Sequence, residues 1–160
     1  MTVELRGLRP TDRPLLEAAL RSDDTFTAEE IAVALELIDD ALARADSDYW
    51  FRVAVAPDAP GRIAGYICYG PTPMTRSSFD LYWLVVHRDA RGRGVARALI
   101  DEMERDLRAR GATGVRIETS QLESYGAARR VYERHGYREV ARIPDFYKPG
   151  DALVTFYKRL

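Results

Sequence analysis

The segment Val85-Val86-His87-Arg88-Asp89-Ala90-Arg91-Gly92-Arg93-Gly94-Val95-Ala96-Arg97 passes from an apolar, β-branched stretch through a short basic loop into the start of a helix. A strand-loop-helix junction leaves the first backbone N–H groups of the helix without partners and sets the positive end of the helix dipole beside them. Gly92 and Gly94 let the backbone approach a ligand closely, and Arg91, Arg93 and Arg97 add positive charge. An anion site suited to phosphate follows from these features. Two nucleotide loops are excluded by spacing. A dinucleotide fingerprint needs a third small residue where Arg97 stands, and here the loop follows three expected antiparallel strands in mid-chain; the Gly-Lys-Ser/Thr of a Walker loop is absent.

Upstream, residues 79–86 alternate as a strand, with Asp80, Tyr82 and Leu84 expected on one face and Leu81, Trp83 and Val85 on the other. Residues 50–56 and 63–70 read as a hairpin around Pro57-Asp58-Ala59-Pro60-Gly61. Thr27 and Glu30 have capping-box spacing ahead of Ile31, Leu35, Ile38 and Leu42, one helical stripe. A shorter helix carries Leu15, Leu16, Ala19 and Leu20 behind Thr11 as a helix-start residue, and Val3, Leu5 and Leu8 suggest a first strand. Downstream, Ala96, Leu99, Met103 and Leu107 mark a helix stopped by Gly111. Val115-Arg116-Ile117 is a strand, residues 125–135 form a short helix ended by Gly136, and strands are expected at 137–143 and 153–157. The order βααβββαβαββ predicts an α/β or α+β fold, a mixed sheet with helices on its faces.

The length of 160 residues with 46% hydrophobic content fits one domain spanning 1–160 with its own core. Lys plus Arg number 24 against 25 for Asp plus Glu, a net charge of -1, which gives no basic footprint for nucleic acid. Cys68 stands alone and only His87 and His135 accompany it, so neither a disulfide framework nor a Cys/His metal site is expected, and a reducing cytoplasm fits. The first residues lack a signal-peptide pattern, and the longest uncharged run, 63–75, is broken by Gly65, Gly70, Pro71 and Pro73, so no membrane association is expected.

With these motifs in place, the chain resembles the GNAT superfamily of acyl-CoA-dependent N-acetyltransferases. Arg91-Gly92-Arg93-Gly94-Val95-Ala96 is similar to that family's Gln/Arg-x-x-Gly-x-Gly/Ala pyrophosphate loop. Ala128-Arg129-Arg130-Val131-Tyr132-Glu133-Arg134-His135-Gly136-Tyr137 is similar to its second signature, Ala-x-x-x-Tyr-x-x-x-Gly-Phe/Tyr. Arg88 stands where many members have Pro, and Tyr125 where many have Asn. The resemblance implies a mixed, mostly antiparallel twisted sheet of about six to seven strands flanked by about four helices. It implies acetyl-CoA as acyl donor, with the backbone of Leu84 and Val86 on the pantetheine arm and the amides of Gly92 to Ala96 on the pyrophosphate. The strand carrying Leu84 is expected to be bulged and splayed from its neighbour.

The implied activity is transfer of acetyl to a primary amine of a small molecule by direct attack in a ternary complex. A protein or peptide amine as acceptor, and a non-catalytic acyl-CoA sensor, stand as alternatives; a homodimer is left open. Tyr132 matches the family's tyrosine near the thioester sulfur and is the expected proton donor. For the base, Asp80 is placed first, on the face of Leu84 and roughly 13 Å from it at about 3.3 Å per residue, acting through water. Glu118 competes, as does the absence of a dedicated base. Acceptor choice is expected from loops 21–26 and 144–151, where Asp23, Asp24, Asp145 and Asp151 bring negative charge and Phe26, Phe146 and Tyr147 bring apolar walls. These favour a small cationic amine.

Overall fold

The computed structural model describes residues 3–59 and 61–160. Strands β1 (Glu4–Gly7), β2 (Trp50–Val55), β3 (Ile63–Pro71), β4 (Ser78–Val86), β5 (Gly114–Ser120), β6 (Arg138–Lys148) and β7 (Asp151–Arg159) form one seven-stranded sheet in the order β1-β2-β3-β4-β5-β7-β6. Every neighbouring pair is antiparallel except β4 and β5, which run parallel. A parallel pair needs a long crossover, and helix α3 (Val95–Ala109) supplies it. Helices α1 (Arg13–Leu20) and α2 (Ala28–Ala43) precede β2, and α4 (Gly126–Arg134) joins β5 to β6. The element order and the sheet type agree with the sequence-based expectation.

Two cores lie on opposite faces of the sheet. On one, Leu99, Ile100, Met103 and Leu107 of α3 and Tyr132 of α4 pack on Ile67, Tyr69, Leu81, Ile117 and Phe156. On the other, Leu16 and Leu20 of α1 and Ile31, Ala34 and Ile38 of α2 pack on Phe51, Val53, Tyr66, Cys68 and Val85. The capping box at the start of α2 forms on both sides: the Glu30 amide donates to Thr27 Oγ1 at 3.2 Å, and the Thr27 amide donates to Glu30 Oε2 at 2.7 Å. Thr11 does not start α1. It lies inside a 3-10 turn (Pro10–Asp12), and buried Asp12 takes the Arg9 amide at 2.8 Å while Arg6 clamps the same carboxylate at 2.7 and 2.8 Å.

Two further expectations are corrected. Residues 144–148 are strand rather than loop, because β6 runs to Lys148 and turns tightly into β7 through Pro149 and Gly150. Pro144 is tolerated there because β6 is the sheet's edge, where a missing N–H costs no ladder bond. Asp145, at φ 55°, accepts the Gly150 amide at 2.7 Å and closes the turn. The strict alternation expected along β4 also fails. Cys68 opposes Trp83 but Tyr69 opposes Leu81, so Tyr82 is the extra residue of a β-bulge. Consequently Leu81 and Leu84 share the α3 face while Tyr82, Trp83 and Val85 contribute to the α1/α2 face. Asp80 therefore faces away from Leu84's side of the sheet.

Candidate active site

Parallel pairing of β4 with β5 lasts for four residue pairs, from Ser78 opposite Gly114 to Leu81 opposite Ile117. Past that point β5 continues against β7 and β4 continues against β3, so the two strands part. The edge of Tyr82 to Val86 that turns toward β5 has no partner strand among the described residues. Backbone N–H and C=O groups on such an edge need water or a ligand. A groove of about 1640 Å³ occupies the opening and is lined by Tyr82 to Val86 from β4 and by Glu118 to Ser120 from β5. It reaches both faces of the sheet, with Ala96, Ala128 and Tyr132 from the α3/α4 side and Phe26, Glu30 and Val33 from the α1/α2 side.

At the α3/α4 end the basic loop meets the first turn of α3. Gly94 is the residue before the helix, at φ 79° and with no side-chain cap, and Gly92 has φ 72°. A Cβ at either would meet no heavy atom within 4 Å, so left-handed backbone rather than lack of room calls for glycine. The amides that open α3 therefore have no side-chain acceptor at the cap and sit beside the groove through Gly94, Val95, Ala96 and Arg97. That cradle fits the pyrophosphate of an acyl-CoA. Arg91 and Arg97 line the groove, whereas Arg93 points away to Asp58, beside a separate cavity of about 180 Å³. Arg130 and Arg134, one helical turn apart on α4, join Arg91 and Arg97 to make this end basic, with Asp101 beside Arg97 at 3.7 Å as the opposing carboxylate. Arg130 and Arg134 both stand in the second signature at a spacing that puts them on one helix face, a signal the sequence reading leaves unused. Arg129 is structural, donating to the carbonyls of Ser120 at 2.6 Å and Leu122 at 2.8 Å.

Tyr132 is buried against Tyr137 and Phe156, with ring centroids 6.3 and 6.1 Å away, yet it lines the groove. Burial alone pushes its phenol well above the ordinary value, so the hydroxyl stays protonated. Leu84 and Val86 also line the groove, their side chains packed on the α3 core. Asp80 does not line it. Its carboxylate is buried and held by Arg116 through Nε at 2.7 Å and Nη2 at 3.2 Å. Glu118, two residues along β5 on the same face as Arg116, does line the groove and lies 3.5 Å from Arg116 Nη1.

The α1/α2 end is acidic and aromatic. Glu29, Glu30, Glu118 and the buried Asp151 bring carboxylates, with Lys148 at the rim. Phe26 makes edge contacts with Trp83 at 5.4 Å and with Tyr125 at 6.1 Å. Tyr125 donates its hydroxyl to Glu30 Oε1, bridging the start of α4 to the start of α2. Burial, then that carboxylate, raises the Tyr125 phenol well above its ordinary value. Burial and the nearby Asp80 push Tyr82 up to about 12. Asp23 and Tyr147 line the groove, while Asp24, Asp145 and Phe146 do not. Cys68 is buried in the α1/α2 core away from the groove, its thiol raised by burial. Among the described residues no cluster of three or more His, Cys, Asp or Glu is arranged to hold a metal ion.

A family model described as an acetyltransferase (GNAT) domain matches residues 23–139. Among solved structures, a member of the GNAT family from Desulfovibrio desulfuricans is 37% identical, covering 99% of each chain with a TM-score of 0.90. An aminoglycoside 6'-N-acetyltransferase complexed with coenzyme A is 18% identical, covering 98% of this chain and 96% of its own, with a TM-score of 0.77. The ribosomal-protein-S18-alanine N-acetyltransferase of Escherichia coli is 17% identical, covering 99% of this chain and 94% of its own, also at 0.77.

Proposed function

Since the chain belongs to the GNAT acetyltransferases, we propose that it moves an acetyl group from acetyl-CoA to the primary amine of a small cationic molecule by direct attack within a ternary complex. The supporting observation is the division of charge along one groove through the sheet: a basic end with the open start of α3, an acidic end lined by Glu29, Glu30, Glu118 and Asp151. An anionic donor and a cationic acceptor entering from opposite faces would meet where β4 leaves β5. The bound donor supplies a thioester carbon open to attack and a thiolate leaving group.

The chain's residues then meet two proton demands. An alkylamine with a pKa near 10.4 is neutral in about one molecule in 2,500 at pH 7, so a proton must leave before attack. Glu118 takes this role, being the carboxylate on β5 at the mouth of the splay. Asp80 serves as a positioning residue instead, holding Arg116 beside Glu118. Tyr132 donates its phenolic proton to the departing sulfur as the carbon–sulfur bond breaks, and burial keeps that proton in place until then. With the one cysteine in the far core, no thiol is placed to carry the acyl group between donor and acceptor. The unpaired, buried Cys68 suits the reducing cytoplasm, where we place the protein. No helix among the described residues is long and apolar enough to cross a membrane.

Binding is the first test. CoA at about 100 times its Kd stabilises a native-state binder by about 2.7 kcal/mol, and for a chain of this length that is a rise in Tm of roughly 5–10 °C. No rise at millimolar CoA would overturn the assignment of the groove.

A further inference from the structure

The loop between α1 and α2 and the loop before α3 are joined by two contacts that have different fates when an anion arrives. Ser22 Oγ accepts the Arg88 amide at 3.0 Å, a bond that no phosphate competes for. The second contact is an ion pair between Asp23 and Arg91, and Arg91 is one of the two arginines that line the groove at the pyrophosphate loop. The two oxygens of Asp23 are divided: Oδ1 accepts the Thr25 amide at 3.0 Å, and Oδ2 faces Arg91. Although burial opposes it, the Thr25 bonds and Arg91 hold the Asp23 carboxyl below its ordinary range, so it is charged at neutral pH.

Resting on the reading of the groove as an acyl-CoA site, we propose that Asp23 and Arg91 form an exchange pair coupling the two ends of the groove. A pyrophosphate, with two negative charges and the α3 amides to hold it, outcompetes a single carboxylate for Arg91. Asp23 need not move far, since Thr25 keeps Oδ1 and Ser22 keeps the loop on the Arg88 amide. Its Oδ2 is then left charged and unpaired on the lining of the groove. A carboxylate without a partner attracts a cation, and a cationic group of the acceptor other than the amine that attacks beside Glu118 is the cation due there. The donor therefore prepares a contact for the acceptor, and by linkage each tightens the other.

The test is a double-mutant cycle on the Kd of CoA alone, measured by titration calorimetry. Asp23→Asn removes the competitor for Arg91 and should bind CoA about two- to fivefold tighter than the parent, the worth of a partly exposed ion pair. In an Arg91→Gln background the same substitution should give no gain. Asp24→Asn, an equal charge change on a residue that does not line the groove, should leave the Kd unchanged. CoA binding by Asp23→Asn no tighter than the parent's would overturn the exchange, as would an equal gain with Arg91 absent or from Asp24→Asn. A parent that binds no CoA is a separate result, which removes the groove assignment and the exchange with it.

Discussion

Tyr132 combines a buried ring, which its neighbours Tyr137 and Phe156 hold in place, with a position on the lining of the groove. Tyr132→Phe keeps the ring, so stability should change little, while turnover should fall by roughly 10- to 10⁴-fold, mainly in kcat, because general acid catalysis is removed. A variant turning over within twofold of the parent would make Tyr132 a packing residue. The base is tested by contrast. Glu118→Gln should lower kcat/KM by about 10²-fold or more, whereas Asp80→Asn should act chiefly by loosening Arg116 and lower it by less. The reverse order would return the role to Asp80. Sequence reasoning placed Asp80 on the face of Leu84 because alternation is the default of a strand. The bulge that the resemblance implies for this strand falls at Tyr82 and resets that alternation, and ordinary strand residues do not mark its position in a single sequence.

Among the elements, those with strong local signals were legible. The Thr27/Glu30 capping box, the stripe of α3 and the two glycines before it all have short-range causes, and all appear where their spacing puts them. Composition predicts a loop at residues 144–148 because Pro144 and Asp145 are loop formers, whereas the edge position of β6 tolerates both in a strand. Tyr125, with Glu30, belongs to a contact joining residues 95 positions apart, and no local pattern announces it. The start of α3 carries the element-scale prediction. Gly94→Glu forces a side chain onto a left-handed residue and adds a carboxylate at the anion cradle, so the Tm rise with CoA should vanish. The unliganded variant should still fold, because a Cβ there meets open space. A normal CoA response from this variant would move the anion site elsewhere.

On the scale of the whole molecule, the groove exists because one parallel pair interrupts an otherwise antiparallel sheet. β4 must follow β3 and β5 must follow β7, and the two allegiances separate after Leu81 and Ile117. Helices on each face then give the opening two differently charged ends. The net charge of -1 conceals this division, which is why composition excluded partners but could not locate an acceptor site. The most direct measurement is free-thiol release from acetyl-CoA, with the mass of the amine followed in the same reaction, across small cationic amines, neutral amines and peptide N-termini. Acetyl transfer through this groove predicts thiol and acetylated amine in equal amounts, with the highest kcat/KM for small cationic amines and a loss of turnover in Gly94→Glu. Thiol release that no amine raises above the level seen with acetyl-CoA alone, or release without an acetylated amine, would contradict it.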